Sequence, residues 1–193
     1  MITNPLSSAG LFLVQTIFDF TIFIFIMRFL LQLVNANFYN PLSQMIVKLT
    51  NWPRHILGRI LPVYRRLDSS TLIFLLILEL AKFLLLFALQ TNAMANISGV
   101  LLLAVADLLS QIINVFFYTI IIGAILSWVH APQLHTLWEL TQQLTNPLLR
   151  PVQKILPPLG GLDLSPLVVL IGLKLLAILM VQPMLELGAF YAL

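Results

Sequence analysis

The chain has 193 residues, of which 60% are hydrophobic and 9% charged, and its mean hydropathy is +1.02. Because a soluble domain carries roughly 25% charged residues, this composition excludes a water-covered globule and predicts an integral membrane protein. The absence of cysteine excludes disulfides and cysteine nucleophiles, and the net charge of +3 is interpreted as an uneven distribution of bases between two membrane faces.

Four apolar runs are long enough to cross a bilayer, which takes about 20 residues. The predicted spans cover approximately residues 11–34, 71–89, 106–129 and 166–181. The third lies in a longer apolar stretch, so the part before residue 106 is expected to tilt, protrude or lie in the interface. No base precedes Arg28, so the first run does not resemble a cleaved signal peptide. The runs are continuous rather than alternating, which favours an all-α polytopic membrane protein over a barrel.

An internal repeat is visible when the sequence is aligned with itself at an offset of 95 positions. Residues 49–72 then align with residues 144–167 without a gap, and ten of the 24 positions are identical. The shared polar residues do not follow from hydrophobicity, and they include Asn51, Asp68 and Ser70. We therefore predict two repeats, 1–94 and 95–193, each with a span, an amphipathic interfacial loop and a second span. Two spans per repeat make the copies parallel.

The two loops carry all the bases that lie outside the predicted spans. These seven residues are Lys48, Arg54, Arg59, Arg65, Arg66, Arg150 and Lys154. The bias predicts cytoplasmic loops and both termini outside. Apolar residues recur at helical spacing beside the bases, so we predict short interfacial helices, ended by Pro62 and Pro157, that bind anionic lipid headgroups.

Asp68 and Asp163 stand where the second and fourth spans begin. Ser165 followed by Pro166 is typical of an N-cap and a first helical residue, and each aspartate places negative charge at the positive end of a helix. Helix capping is one interpretation. The alternative is that each aspartate anchors the basic helix before it, or binds a partner.

The second loop resembles the signature of the YggT family, also called YlmG. The residues that carry the resemblance are Asn146, Pro147, Arg150, Pro151, Lys154, Pro157, Gly160, Gly161, Asp163, Ser165 and Pro166. In the first loop the matching positions include Asn51, Arg59, Pro62, Asp68 and Ser70, with Arg54 nearby, whereas Trp52, Ile56 and the Arg65–Arg66 pair depart from the pattern. The resemblance implies a bacterial inner-membrane protein without established catalysis. It also implies links to osmotic tolerance and cell division, and in plastids to nucleoid distribution and cytochrome maturation.

Six ionisable residues fall within the predicted spans: Asp19, Arg28, Glu79, Lys82, Asp107 and Lys174. A charge at mid-bilayer costs about 2.5 to 3.5 kcal/mol on insertion scales, so each is expected to face protein, water or a counter-ion. We expect Arg28 to snorkel to the interface and Asp107 to lie near the outer end of its span.

Glu79 and Lys174 are equivalent under the 95-residue offset, so we predict an ion pair between the repeats, with Lys82 as a rival partner. The alternative is an ion or proton path through Glu79, Lys82 and Lys174, with Asp19 as a further station.

Enzymatic function is not predicted. His130 and His135 are five residues apart rather than at the i, i+4 spacing of a helical metal pair, and no catalytic or phosphate-binding motif is present. We therefore expect no metal, cofactor or nucleic-acid partner. The leading hypothesis is a protein that organises or assists assembly of membrane or division machinery through its basic loops, either alone or as a homo-oligomer. The competing hypothesis is an oligomeric ion channel or transporter.

Overall fold

The computed structural model describes residues 5–57, 68–90, 96–129, 132–156 and 163–192, with the backbone alone for 52–57. Every regular element in these ranges is helical, which confirms the all-α fold class. The elements are α1 (Pro5–Leu33), α2 (Pro41–Leu57), α3 (Ser69–Gln90), α4 (Ile97–Trp128), a 3₁₀ turn (Pro132–Leu134), α5 (His135–Ile155), α6 (Ser165–Leu176), a π-helical stretch (Ala177–Val181) and α7 (Gln182–Ala192).

Four helices are long and apolar enough to cross a membrane: Pro5–Leu33, Ser69–Gln90, Ile97–Trp128 and Ser165–Ala192. Helix α4 is central, since it contacts α1, α3, α5, α6 and α7. A buried apolar core joins α1, α3, α4 and α5, and includes Ile26, Leu75, Leu108 and Leu144. We call the side that carries α2 and α5 the loop side, and the opposite side the far side.

Two span boundaries differ from the sequence-based prediction. Residues 97–105 continue directly into α4, which is about 48 Å long at 1.5 Å per residue. The last span does not end before Gln182 but runs to Ala192. A proline ring clashes with the carbonyl four residues earlier, and in this span the π-helical stretch Ala177–Val181 stands directly before Pro183. The wider π turn relieves the clash, so the helix continues.

The turn after α1 sets the position of α2. Asn35 has a φ of 50°, and the amides of Asn35 and Ala36 donate to the carbonyls of Gln32 and Leu31 at 3.1 and 2.8 Å. This left-handed residue with its paired hydrogen bonds is the Schellman end of a helix. Helix α2 then packs Leu42 and Ile46 against the core beside the buried Ser43 and Thr50, whereas Met45 and Leu49 are exposed.

Helix α5 is longer than predicted. The sequence placed the second interfacial helix after Asn146, but α5 begins eleven residues earlier, at His135, and contains Pro147 and Pro151. Both prolines lie on its exposed side, where water or headgroups can replace the hydrogen bonds that proline cannot make.

The far-side ends of α4 and α7 touch at two glycines. A Cβ on Gly99 would lie 2.2 Å from the backbone nitrogen of Ala192, and one on Gly188 would lie 2.9 Å from the side chain of Leu103. The Asn96 amide also donates to the Ala192 carbonyl at 3.2 Å. Small residues therefore let these two backbones approach as closely as packed membrane helices require.

Candidate functional site

A cluster of charged and amide side chains joins three long helices. Lys82 and Glu79 come from α3, Asp19 from α1, and Asp107 with Gln111 from α4. The Lys82 ammonium lies 2.9 Å from Asp19 Oδ1 and 2.7 Å from Glu79 Oε2, and it also donates to Asp107 Oδ2. The Glu79 contact is an ion pair without hydrogen-bond alignment, since Glu79 Oε2 has no hydrogen-bond partner. We call these five residues the ion cluster.

Gln111 connects the acids of the ion cluster. Its Nε2 donates to Glu79 Oε1 at 2.7 Å and to Asp107 Oδ2 at 3.1 Å. Glu79 and Lys82 are almost fully buried, whereas the side chains of Asp19 and Asp107 are 41% and 27% exposed. The ion cluster is therefore open on one flank.

The ion cluster lies deep in the membrane-spanning part. Asp19 is about 21 Å from either end of α1, and Glu79 is about 15 Å from the loop-side end of α3. With every group ionised, three carboxylates and one ammonium give a net charge of −2. A charge at this depth is expensive unless protein, water or a counter-ion faces it.

The predicted pair between Glu79 and Lys174 is wrong. Glu79 pairs with Lys82 three residues along its own helix, while Lys174 is exposed on α6. Lys82 lies on the same face of α3 as Glu79, so this pair needs no contact between the repeats. In addition, α3 and α6 are not among the packed helix pairs. Asp107 is also misplaced by the prediction, because α4 begins at Ile97 and puts it about 15 Å inside the helix.

Arg28 does not snorkel, contrary to expectation, but is buried with 3% exposure. Its Nη1 donates to Thr50 Oγ1 at 2.7 Å and to the Val47 carbonyl at 3.2 Å, and both terminal nitrogens reach Asn51 Oδ1 at 3.4 Å. The planar guanidinium thus holds α2 against α1.

Replacing Arg28 with lysine is expected to loosen α2. A lysine ammonium is a compact charge that cannot present the same fork of donors, and a hydrogen bond to a charged group contributes about 1.5 to 3 kcal/mol. In Arg28→Lys, hydrogen exchange measured by mass spectrometry should become several-fold faster in residues 41–51. Lys48→Arg, an exposed change on the same helix, is the control and should leave exchange unaltered; equal acceleration in both would refute the assignment.

Asp68 directly precedes α3 and Asp163 lies two residues before α6, and both accept hydrogen bonds from the first turn, as the capping interpretation predicts. Asp68 is buried and accepts from the Thr71 amide at 3.3 Å and the Thr71 hydroxyl at 2.9 Å, and Ser70 Oγ also donates to it. Asp163 accepts from the Ser165 amide at 2.9 Å. Ser165 is therefore the first residue of the helix rather than its N-cap.

Asp163 also anchors the preceding basic helix, since Gln153 Nε2 of α5 donates to it at 2.9 Å. Desolvation is the largest single effect and raises the pKa of Asp163, but the hydrogen bonds from Ser165 and Gln153 together outweigh it, so the pKa lies below the ordinary value of 3.8. The capping and anchoring interpretations therefore both apply to this residue.

The Asp163 contact is expected to weaken in acid. A carboxyl whose pKa is depressed by folding stabilises the fold above its ordinary pKa, and this contribution is lost as the pH falls through the depressed value. The Ser165 amide resonance should therefore move on acidification below pH 3.8. Asp163→Asn keeps an acceptor oxygen and should abolish that titration, whereas an unchanged titration would assign it to another group.

A cavity of about 380 Å³ lies between α1, α4 and α5. It shares Gln111 with the ion cluster, and α5 contributes four of its lining residues. The lining is mainly apolar, with amides and hydroxyls at a few positions. The lining residues are Phe23, Met27, Gln111, Asn114, Val115, Tyr118, Thr119, Ile122, Leu137, Leu140, Thr141 and Leu144.

The loop residues of the sequence motif are not brought into one site. In α5, Arg150, Pro147, Pro151 and Lys154 are exposed and Asn146 is half-buried, while Pro166 lies in the first turn of α6. Several predicted positions lie outside the described residues or side chains: Arg54, Arg59, Pro62, Arg65, Arg66, Pro157, Gly160 and Gly161.

Gln111 and Asn114 are the site residues that sequence reasoning missed. Both are uncharged, so a search for intramembrane charges passed over them. Their signal in the sequence is an amide inside an apolar run, which is costly unless it has a partner. Among the described residues, no group of three or more acids or histidines has an arrangement that could hold a metal ion.

The fold and the ion cluster define an all-α polytopic membrane protein with four helices of spanning length. The CCB3/YggT family model matches the chain twice, over residues 7–89 and 102–184. The chain belongs to the CCB3/YggT family. No solved structure matches it.

Relatives from several bacteria cover most of the chain. An uncharacterized protein of Pseudomonas aeruginosa is 37% identical over 178 residues, which are 92% of this chain and 90% of the relative. One from Vibrio alginolyticus is 38% identical over 170 residues, or 88% and 91% of the two chains. The uncharacterized protein YggT of Escherichia coli K12 is 33% identical over 161 residues, or 83% and 82%.

Proposed function

We propose that this chain is a non-enzymatic inner-membrane protein that organises or assists assembly of membrane or division machinery, and thereby contributes to osmotic tolerance. The observation that carries the proposal is the pair of loop-side helices, α2 and α5. Both are fixed to the spanning helices, yet both expose apolar and basic side chains away from them. This is the arrangement of a docking platform at a membrane surface.

Contacts between the two halves of the chain support a fixed platform. The Asn37 amide donates to Gln143 Oε1 at 2.7 Å, and Asn40 Nδ2 donates to the Thr136 carbonyl at 2.9 Å. Arg28 holds α2 from within α1. A partner that binds this surface therefore meets helices that are already ordered, which lowers the entropic cost of association.

The exposed groups of the platform suit lipid headgroups and a protein partner at the same surface. Exposed bases are Lys48 on α2 with Arg150 and Lys154 on α5, beside exposed Leu49 and Ile155. Each base near an anionic membrane surface contributes about 1 kcal/mol of attraction. Anionic lipid thus holds the platform in the headgroup layer.

Complementation of a bacterial strain that lacks its own family member tests the proposal. The triple change Lys48→Gln, Arg150→Gln and Lys154→Gln should fail to restore growth after osmotic upshift, although the protein accumulates normally. Asp19→Asn is the matched control, because it alters the ion cluster and leaves the platform intact. Full rescue by the triple variant would refute a role for the bases.

The proposal includes an orientation: four spans, with the platform cytoplasmic and both termini outside. The seven loop bases support it. A reporter active only in the cytoplasm should be active when inserted after Leu156 and silent when fused to Leu193. The opposite result would place the platform on the outer face and remove the cytoplasmic partner.

The proposal also includes the internal repeat. The family model matches residues 7–89 and residues 102–184, and these two stretches are offset by 95 positions at both ends, as the repeat predicts. The cavity supports it as well, since Phe23 and Met27 of α1 line it together with Tyr118 and Ile122 of α4, which are their equivalents at the same offset.

A second candidate function is cation or proton transport by an oligomer. The specific observation in its favour is the ion cluster, where three carboxylates surround one ammonium and Asp19 is 41% exposed at mid-membrane depth. Proteoliposomes with a pH-sensitive dye test it: Asp19→Asn should change proton flux at least several-fold, while the platform variant should not. Equal flux in Asp19→Asn and the unaltered protein would eliminate this candidate.

A further inference from the structure

The cavity beside the ion cluster contains polar groups that the protein does not satisfy. Asn114 lies about 21 Å from the loop-side end of α4. Neither its amide nor the Tyr118 hydroxyl has a hydrogen-bond partner among the described residues, although both line the cavity. In hydrocarbon an unpaired polar group costs several kcal/mol, because an acyl chain offers it no donor or acceptor.

The ion cluster adds a second requirement where Gln111 lines the cavity. Gln111 lines the cavity with one edge and donates to Glu79 and Asp107 with its amide nitrogen. The cluster also carries more acids than bases. Ionisable groups at membrane depth face the bundle interior or a water-filled cavity, and a space of about 380 Å³ has room for several waters.

We propose that this cavity is a water-filled inlet that runs from the loop side to the ion cluster and gives protons access to its carboxylates. Asn114, Tyr118 and Ile122 are all exposed and follow one another towards the loop-side end of α4, where we place the mouth. In this inlet Asn114 binds water midway along the path, and Gln111 is the last side chain that the water contacts before Glu79 and Asp107. The inference deepens the transport candidate and rests on it for its biological purpose, but the inlet itself is tested without any flux.

Cysteine accessibility tests the inlet cleanly because the natural chain contains no cysteine. Asn114→Cys and Tyr118→Cys are reconstituted in liposomes and treated with the charged thiol reagent 2-(trimethylammonium)ethyl methanethiosulfonate. The matched control is Leu84→Cys, an exposed position about 23 Å from the loop-side end of α3, where lipid should surround the thiol. Asn114→Cys should react at least tenfold faster than Leu84→Cys, and only when reagent is on the loop side.

The other possible occupants give different results, and each overturns the inlet. Reaction of Asn114→Cys as slow as that of Leu84→Cys means that lipid or a lipid-soluble molecule fills the cavity. An oxidative crosslink between two Asn114→Cys chains, without labelling, means that a second copy covers it. If Asn114→Cys fails to fold, Tyr118→Cys and Ile122→Cys carry the same comparison. Loop-side labelling with unchanged proton flux would keep the inlet and reject transport.

Discussion

Lys82→Met should cause the largest loss of stability of any single change in the ion cluster. Among the described residues, Lys82 is the only base that contacts Asp19, Glu79 and Asp107, which come from three different helices. Removing one partner of a buried pair costs about 3 to 5 kcal/mol, because the survivor remains as an uncompensated charge. Here three acids would remain. We expect a strongly reduced folded yield and a lower midpoint of thermal unfolding in detergent.

Two further variants decide whether charge balance causes this loss. Lys174→Met removes an exposed base from α6 and should change the unfolding midpoint little. Lys82→Met combined with Glu79→Gln removes the fully buried acid as well and should recover part of the folded yield. If the double variant is as unstable as the sum of its single changes, Lys82 acts through packing rather than through charge.

Gly99→Ala should separate the far-side ends of α4 and α7. The new methyl group would lie 2.2 Å from the Ala192 nitrogen and 2.5 Å from its Cα, and both are backbone atoms that cannot rotate away. Overpacking of this kind costs about 1 to 3 kcal/mol or more. The unfolding midpoint should fall, and proteolysis near the C-terminus of α7 should accelerate.

Gly172→Ala is the matched control, because no atom lies within 4 Å of the position where its Cβ would be placed. This glycine is on α6, where alanine is the better helix former by about 1 kcal/mol. The control should be neutral or slightly stabilising. Similar losses in both variants would show that the glycines contribute to stability through helix flexibility and not through the α4–α7 contact.

The number and nature of the long helices followed from the sequence because hydrocarbon imposes a length and an apolar composition on any spanning helix. Helix ends were less predictable. Pro183 and the prolines of α5 suggested breaks, but a π-helical stretch and an exposed helix side accommodate them. These local adjustments depend on neighbouring packing, which a single sequence does not reveal.

The charged members of the ion cluster were predicted, but the pairing chosen for Glu79 was wrong, and its contact with Lys82 was named only as the rival. Depth identified Asp19, Glu79 and Lys82 as residues that need partners, whereas Asp107 was expected near the outer end of its span. Choosing among the partners requires the rotation of each helix about its axis, and a repeat offset does not supply it. The neutral Gln111 completes the cluster through hydrogen bonds, so no rule based on charge would have selected it.

The residues of the ion cluster are also synthesised at different times. Asp19 is separated from Lys82 by 63 positions and Lys82 from Asp107 by 25. At about 5 to 20 residues per second, the ribosome adds Lys82 roughly 3 to 13 s after Asp19. The first helix must therefore enter the membrane with its acid unmatched, held by its surrounding apolar residues. Glu79 and Lys82 enter together as a neutral pair, so α3 is the first helix to supply a partner for Asp19, and Asp107 of α4 arrives later.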